Sequence, residues 1–196
     1  MRKRTIIALA LTVIGVSAWY GIRAGKAIVP GLAITHRPGD ALDSLHGVVV
    51  FHNDGMRATH GRHVVDGYNV GLKYQCVEFV KRYYLEHYDH RMPNSYGNAK
   101  DFFDTTLVDG ALNTDRGLLQ FSNPSRTRPR EGDLVVYDAW VGNTFGHVAI
   151  ISAVDNGEVE VIQQNTRSTR TTFDLDHTDG HWRIDNDRIA GWLRMP

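Results

Sequence analysis

The chain has 196 residues, of which 42% are hydrophobic and 22% charged, a composition typical of a globular domain that excludes intrinsic disorder and collagen-like repeats. Its 22 lysines and arginines balance 22 aspartates and glutamates, but five of the basic residues lie within the first 26 positions, before the first acid, Asp40. The rest of the chain has 17 basic and 22 acidic residues, a formal charge of −5. Because recognition of a phosphate backbone needs clustered basic residues, nucleic acid is excluded as a partner.

An uncharged apolar segment, residues 5–22, follows three N-terminal basic residues. As a helix it would span roughly 27 Å, close to the ~30 Å hydrocarbon core of a membrane. Two interpretations stay open: a membrane anchor with Trp19 and Tyr20 at the interface, or a signal peptide cleaved after the small residues 16–18. The length of the apolar run favours the anchor. Both predict a domain in the cell envelope, either anchored in the inner membrane on its periplasmic side or secreted after signal cleavage.

The rest of the chain divides into two further parts. Residues 23–43 contain several glycines and prolines and show little periodicity, which predicts a linker. Residues 44–196 then form a single domain, long enough to bury one hydrophobic core. We therefore predict an anchor or signal segment over residues 1–22, a linker over 23–43 and one domain over 44–196.

Within the domain, the hydrophobic pattern changes from helical to β-rich along the chain. A short strand is predicted over residues 47–51, a helix over 75–88 from its helical apolar spacing, and a shorter helix over 98–107. Four strands separated by turn signals follow, over residues 133–137, 147–154, 158–163 and 189–193. This order predicts an α+β fold in which N-terminal helices pack on an antiparallel β-sheet.

Cys76 is the only cysteine, so no internal disulfide can form, although exported domains often contain disulfides. It lies at the start of a predicted helix, where free backbone N–H groups and the positive end of the helix dipole favour an anion and should lower the thiol pKa. The thiol is therefore either a buried bystander or a nucleophile. A nucleophile also needs a base and a third group that orients the base.

His147 has the most suitable setting for that base among the ten histidines, because it follows Gly146 and opens a predicted strand. The hairpin formed by this strand and the next brings Gln163 back beside His147, since the two arms have similar lengths. An amide at that place can accept a hydrogen bond from the imidazole and fix its tautomer. Gln163 is the first choice for this role, and Asn165, on the same strand face under strict alternation, is the reserve.

Four ordered blocks of sequence resemble the CHAP family of cysteine amidohydrolases and peptidases: residues 74–82, 131–135, 146–151 and 162–165. Within this family, the amidase domain of glutathionylspermidine synthetase/amidase is similar in the same blocks. The resemblance implies a papain-like fold in which Cys76 is the nucleophile, His147 the base and Gln163 the orienting residue.

One position departs from the family pattern, because related amidases commonly have an acid where this chain has Gln163. A neutral amide stabilises the imidazolium less than a carboxylate does, so we expect a slower enzyme or a thiolate–imidazolium pair shifted toward its neutral form. Tyr74 and Gln75 are expected to bind substrate, as is Asn165. Lys81 and Arg82 are most simply a solvated face of the helix.

These residues predict an exported cysteine-dependent amidase or peptidase, with peptide amides of peptidoglycan as its first-ranked substrate. The alternative substrate is a polyamine amide, as in a glutathionylspermidine-type amidase. An alternative of another class is a catalytically silent domain that binds wall peptides or a protein partner. No cofactor or metal is expected, since the histidine pairs 60/63 and 87/90 lack matching ligands.

Overall fold

An antiparallel sheet of eight strands dominates the computed structural model, which describes residues 36–196. Two hairpins come first in the chain: β1 (Ala41–Leu45) with β2 (Val48–Phe51), and β3 (Arg62–Val65) with β4 (Tyr68–Leu72). The sheet is built from β5 (Leu112–Asn113), β6 (Leu118–Ser122), β7 (Leu134–Tyr137), β8 (His147–Asp155), β9 (Glu158–Ile162), β10 (Arg170–Thr178), β11 (His181–Ile184) and β12 (Ile189–Arg194). Their order across the sheet is β11-β10-β9-β8-β7-β12-β6-β5. The predicted strands near residues 47, 133, 147, 158 and 189 are thereby confirmed to within one or two residues at each end.

Helix α1 (Cys76–Tyr88) packs on one face of this sheet. Phe79, Val80 and Tyr84 recur at helical spacing and are fully buried against Val136 and Val148 of the two central strands. Each such side chain stabilises the fold by about 1.5–3 kcal/mol through removal of apolar surface from water. The α+β class and the helix predicted over residues 75–88 are confirmed, with the helix beginning one residue later.

The opposite face of the sheet is also buried. Alternation along the strands sends Val135, Ala149 and Val161 to this face, where they pack with Trp192 and Leu175 in a second apolar cluster. Because both faces of the central strands are covered, these strands have continuous apolar runs instead of an apolar-polar alternation. Residues that follow each other in β8 or β9 therefore enter two different cores.

The helix predicted over residues 98–107 is wrong beyond its first turn. A 3-10 helix (Ala99–Phe102) is present, and the backbone N–H of Asn98 donates to the Asp101 carboxylate at 2.7 Å in a capping box. After Phe102 the chain becomes extended, and the Asp104 carboxylate accepts hydrogen bonds from the Thr106 N–H and hydroxyl at 2.9 and 2.6 Å. A short acidic side chain that binds its own backbone in this way favours a turn over a continued helix.

Strand β10 and the start of β1 were not predicted from the sequence. Most side chains of β10 are exposed and polar, and the strand is held through backbone pairing with β9 and β11. At the other end of the domain, β1 begins at Ala41, so the folded part includes the last residues of the segment predicted as a linker.

The apolar segment predicted as an anchor or signal, residues 5–22, lies outside the described residues. No helix within residues 36–196 has the length and apolar character needed to cross a bilayer.

Candidate active site

Cys76 is the first residue of α1, directly after a sharp change of chain direction. Tyr74 has a left-handed φ of 66°, and Gln75 is extended and serves as the N-cap. The preceding strand passes close to the helix at Gly71, where a Cβ atom would lie 3.0 Å from the Cα of Glu78. Glycine is therefore required for β4 to run against the first turn of α1, which positions the thiol at the helix start.

The electrostatics of the Cys76 thiol differ from the sequence-based expectation. Burial raises the pKa of the thiol, and the nearby backbone N–H groups of Val148, Val77 and Cys76 itself only partly oppose the shift. The expected depression of the thiol pKa at a helix N-terminus is therefore wrong, because the loss of hydration outweighs the N–H groups. The Cys76 thiol is therefore neutral at rest.

His147 lies at the first position of β8, and the backbone before it is closely packed. Gly146 has a φ of +75°, and a Cβ atom there would lie 2.7 Å from the carbonyl oxygen of Tyr137 and 2.9 Å from the Lys100 backbone. A side chain at Gly146 would push β8 away from β7 and from the 3-10 helix. The role of Gly146 is thus to let the strand start close to its neighbours, with the imidazole at the strand's open end.

Gln163 holds the imidazole in one tautomer. Its Oε1 lies 2.9 Å from His147 Nε2, while its Nε2 donates to the Ser168 carbonyl at 3.2 Å and to the Thr171 hydroxyl at 3.0 Å. Because the two acceptors take the amide N–H groups, the amide oxygen must face the histidine, and His147 Nε2 must carry the proton. The unprotonated Nδ1 is then the nitrogen available to act as a base.

The imidazole is also neutral at rest. Burial lowers the pKa of His147 to about 4, Gln163 partly opposes this shift, and the nearby Arg188 charge adds to it. A neutral histidine and a neutral thiol agree with the balance expected from a glutamine in place of an acid.

A second glutamine, Gln164, was missed by the sequence reasoning although it is fully buried beside the site. Its Nε2 donates to the Gln75 carbonyl and to Glu78 Oε2, both at 3.0 Å, and its Oε1 accepts the Phe51 N–H at 2.7 Å. Gln164 therefore connects the end of β9 to the start of α1 and to β2. The available signal was the strand period of two, which sends residues 163 and 164 to opposite faces of the sheet.

The three residues predicted to bind substrate differ in position. Gln75 and Asn165 line the cleft, and Asn165 Nδ2 donates to Gln75 Oε1 at 2.6 Å. The structure brings Asn165 to Gln75, not to His147, because β9 ends at Ile162 and Asn165 takes a left-handed φ of 64°. Tyr74 is not among the cleft residues; its ring packs on Phe51 and His60 with centroid separations of 5.8 and 5.5 Å.

Lys81 and Arg82 do not form a solvated face, so that expectation is wrong. Both side chains are buried, at 1% and 4% exposure. The Lys81 ammonium donates to the backbone carbonyls of Asn69 and Ser95, and burial lowers its pKa to about 8. The Arg82 guanidinium donates to Glu78 at 2.7 Å and to a carbonyl of β2 at 2.6 Å. Both cations serve the structure because buried charges need such partners.

The histidine pairs make local contacts within residues 36–196. His60 lies 2.9 Å from Asp54, and His63 lies 2.9 Å from the buried Glu78. No group of three or more His, Cys, Asp or Glu side chains with metal-binding geometry occurs in this part of the chain.

Cys76, His147 and Gln163 all line one cleft with a volume of about 990 Å³. The charged side chains that line the cleft are three arginines and one acid: Arg57, Arg62, Arg188 and Asp138. The mouth also has exposed aromatic side chains, from Tyr96, Trp140 and Phe145. The cleft thus carries an excess of positive charge although the chain beyond its first 26 residues carries −5. An electrostatic field of this sign attracts anionic ligands.

Comparisons with known proteins found similar chains by sequence and by structure. The sequence is 30% identical to trypanothione synthetase of Crithidia fasciculata over 148 residues, 69% of this chain and 23% of that protein. It is 32% identical to the bifunctional glutathionylspermidine synthetase/amidase of Escherichia coli over 108 residues, 53% of this chain and 17% of that protein. The chain therefore spans less than a quarter of the length of these relatives. The crystal structure of Ly7917 aligns with a TM-score of 0.32 and 14% identity, over 61% of this chain and 53% of that one.

The family assignment rests on a match that covers half of the sequence. The model of the CHAP domain family matches residues 66–165, a range that includes Cys76, His147 and Gln163. The resemblance noted from the four sequence blocks is thereby confirmed, and the chain belongs to the CHAP domain family.

Proposed function

We propose that this protein is a cysteine amidohydrolase with a papain-like arrangement of its helix and sheet, and that it cleaves amide bonds in carboxylate-bearing peptides. The observation that carries the proposal is a single cleft lined both by Cys76, at the start of a helix, and by His147, whose tautomer is fixed by Gln163. Membership of the CHAP family and similarity to a synthetase/amidase support amide hydrolysis as the reaction class.

The first step of the proposed reaction is proton transfer from the Cys76 thiol to His147 Nδ1, coupled to attack of the sulfur on the amide carbonyl carbon. The C–S bond forms as the electrons of the carbonyl π bond move to the oxygen, which becomes an oxyanion. The first backbone N–H groups of α1 have no partners within the helix, so they are available to stabilise that oxyanion. Because the resting pair is neutral, the ion pair forms only as attack proceeds.

The second part of the reaction releases the amine and regenerates the thiol. The His147 imidazolium protonates the amide nitrogen as the C–N bond breaks, which leaves a thioester on Cys76. A water molecule then gives a proton to His147 Nδ1 and attacks the thioester. The C–S bond breaks and the imidazolium returns the proton to the sulfur, so the products are a carboxylic acid and the free thiol, with Gln163 holding His147 Nε2–H throughout.

The charge of the cleft supports a carboxylate-bearing substrate over a polyamine conjugate. Three arginines and a single aspartate line it, so a carboxylate gains attraction where a polyammonium chain meets repulsion. Peptides of peptidoglycan carry free carboxylates. Together with the apolar segment at residues 5–22, which we propose exports or anchors the chain at the envelope, this ranks wall peptides first.

A glutathionylspermidine-type amidase is the second candidate. It is supported by 32% identity to an enzyme whose name includes that amidase activity. Asp138, at the end of β7, is the one cleft carboxylate that could hold an ammonium group. A catalytically silent binding domain is the third reading, motivated by the glutamine at position 163.

The deciding experiment incubates the full chain with peptidoglycan fragments and, separately, with glutathionylspermidine, and identifies the products by mass spectrometry. We expect cleavage of a wall-peptide amide by the native protein and none by Cys76→Ala. Cleavage of glutathionylspermidine alone would move the second candidate to first place. If Cys76→Ala digests either substrate as fast as the native protein, or the native protein digests neither, the proposed cysteine amidase activity is wrong.

A further inference from the structure

Arg188, like Arg57 and Arg62, lines the cleft and has no acidic partner within residues 36–196. Within residues 36–196, Arg82, Arg170, Arg183 and Arg194 each bind a carboxylate at 2.6–2.9 Å. Arg188 has no carboxylate oxygen within 4.0 Å in that part of the chain, and it is exposed at the wall of the cleft. Its guanidinium is therefore able to accept a ligand without breaking an existing ion pair.

The backbone of Arg188 is held firmly although its charge is unpaired. Its carbonyl accepts the Asp138 N–H at 2.7 Å, and its own N–H donates to the Asn186 side chain at 3.0 Å. The guanidinium lies over the ring of Trp140, with 5.3 Å between its carbon and the ring centroid. Stacking on an aromatic face orients the planar fork and leaves its N–H edges open.

The position of this pair relates it to the reacting atoms. Arg188 and Trp140 line the cleft together with Tyr137 and His147. The ring of Tyr137 lies 5.5 Å from that of His147, and Asp138, whose N–H binds the Arg188 carbonyl, is the next residue in the chain. The pair is thus on the His147 side of the cleft, whereas Arg57 and Arg62 precede β4 and α1.

We propose that Arg188, oriented by Trp140, binds a free carboxylate of the substrate on the His147 side of the cleft. This inference rests on the proposed function, and it names the feature that the substrate must have: a carboxylate close to the scissile amide. A guanidinium binds a carboxylate through two parallel hydrogen bonds, so replacement of the carboxylate by a neutral amide removes both the charge and one acceptor.

The same contact has a consequence for the base. The Arg188 charge disfavours the imidazolium form of His147. A bound carboxylate neutralises that charge, which makes His147 more ready to accept the thiol proton once substrate is present. Correct substrates would then improve the base that acts on them.

The test separates binding from turnover. Calorimetry on the full chain with Cys76→Ala measures the affinity for a muropeptide with free carboxylates and for the same peptide with carboxamides in their place. We expect about tenfold tighter binding of the carboxylate form, as charge-assisted hydrogen bonds of this kind provide. Adding Arg188→Ala should reduce the preference to within about twofold, and Arg188→Lys should retain part of it as a point charge.

Arg128→Ala is the matched control, because Arg128 lies 5.1 Å above the ring of Trp182 in a similar pair outside the cleft. It should retain the full preference. Equal affinity of the two peptides, binding of neither, or a preference that survives Arg188→Ala would overturn the proposal. Turnover is measured separately with Cys76 intact. If the protein hydrolyses nothing but its preference for the carboxylate peptide depends on Arg188, the proposed enzymatic function is wrong and the proposed carboxylate site still stands.

Discussion

Two neighbouring glutamines at the end of β9 serve opposite sides of the sheet. Gln163 turns to the face of the second core and contacts the imidazole of His147, whereas Gln164 turns to the helix and contacts the Gln75 carbonyl and Glu78. One amide orients the His147 imidazole, and the other fastens the helix whose first residue is Cys76. The two side chains leave the backbone in opposite directions just after the last residue of β9, Ile162, and their contacts show that chemical similarity between adjacent residues says little about their roles.

Among the substitutions that distinguish Gln163 from Gln164, the largest expected effect is that of Gln163→Leu on kcat. Gln163→Leu keeps the size of the side chain but removes the acceptor that holds His147 Nε2–H, so the imidazole loses its fixed tautomer. We expect kcat to fall about a hundredfold, in the range found for general base catalysis, with KM nearly constant. Steady-state kinetics measure this, and urea denaturation should show a smaller loss of free energy of unfolding than Gln164→Leu does, because Ser168 is exposed and Thr171 partly exposed to water, which can replace the lost hydrogen bonds. Unchanged kcat would contradict the orienting role.

The reverse pattern is expected for Gln164→Leu. This change leaves the Phe51 N–H, the Gln75 carbonyl and one Glu78 oxygen without their partner in a buried place. The free energy of unfolding should fall by about 3 kcal/mol, since each unsatisfied buried group costs about 1–3 kcal/mol and some relaxation will occur. Urea denaturation measures the loss. A Gln164→Leu protein as stable as the native one would show that the amide does not fasten α1.

The pH dependence of kcat/KM tests whether His147, held by Gln163, acts as the base. His147 must be neutral to accept a proton, and its pKa is lowered to about 4, so kcat/KM should decline only as the pH falls through about 4. Gln163→Glu places a carboxylate beside the imidazole, which stabilises the imidazolium and raises its pKa. The acidic limb of the profile should then move to higher pH by about one unit. A limb that stays in place would show that His147 does not titrate as the base.

The smallest effect is expected at the residue that fixes the orientation of the Gln163 amide. Thr171→Val removes the hydroxyl that accepts a hydrogen bond from Gln163 Nε2 at 3.0 Å and keeps the shape of the side chain. Ser168 still accepts from the same nitrogen, so we expect kcat to fall only about threefold. The control is Ser152→Ala, measured by the same kinetics, which removes a hydroxyl on β8 that donates a hydrogen bond to Glu160. If the two substitutions lower kcat equally, the loss results from disturbance of the sheet and not from the orientation of the Gln163 amide.

Parts of this arrangement were predictable from local patterns. The helical spacing after Gln75 gave a helix start within one residue, and the turn residues near Asn156 gave the β8–β9 hairpin. The blocks around Cys76 and His147 led to the correct family. These features follow from residues close together in the chain, where periodicity and turn chemistry act directly.

Other parts could not be read from local patterns. Strict alternation assigned Asn165 to the same face as Gln163, but β9 ends at Ile162 and the chain then turns toward Gln75. The direction of the Cys76 pKa shift depends on burial beneath segments far away in sequence, which helix position alone does not include.

By itself, the sequence determined the order of the elements, the single cysteine at a helix start, the histidine at a strand start and the family to which the chain belongs. Only the tertiary structure decided that Gln164 fastens the start of α1, why Lys81 and Arg82 are buried, and that unpaired arginines line the cleft. The physical reason is that local pattern depends on near neighbours in the chain. Burial, hydrogen-bond partners and the sign of a cleft's charge depend on residues that meet only after folding.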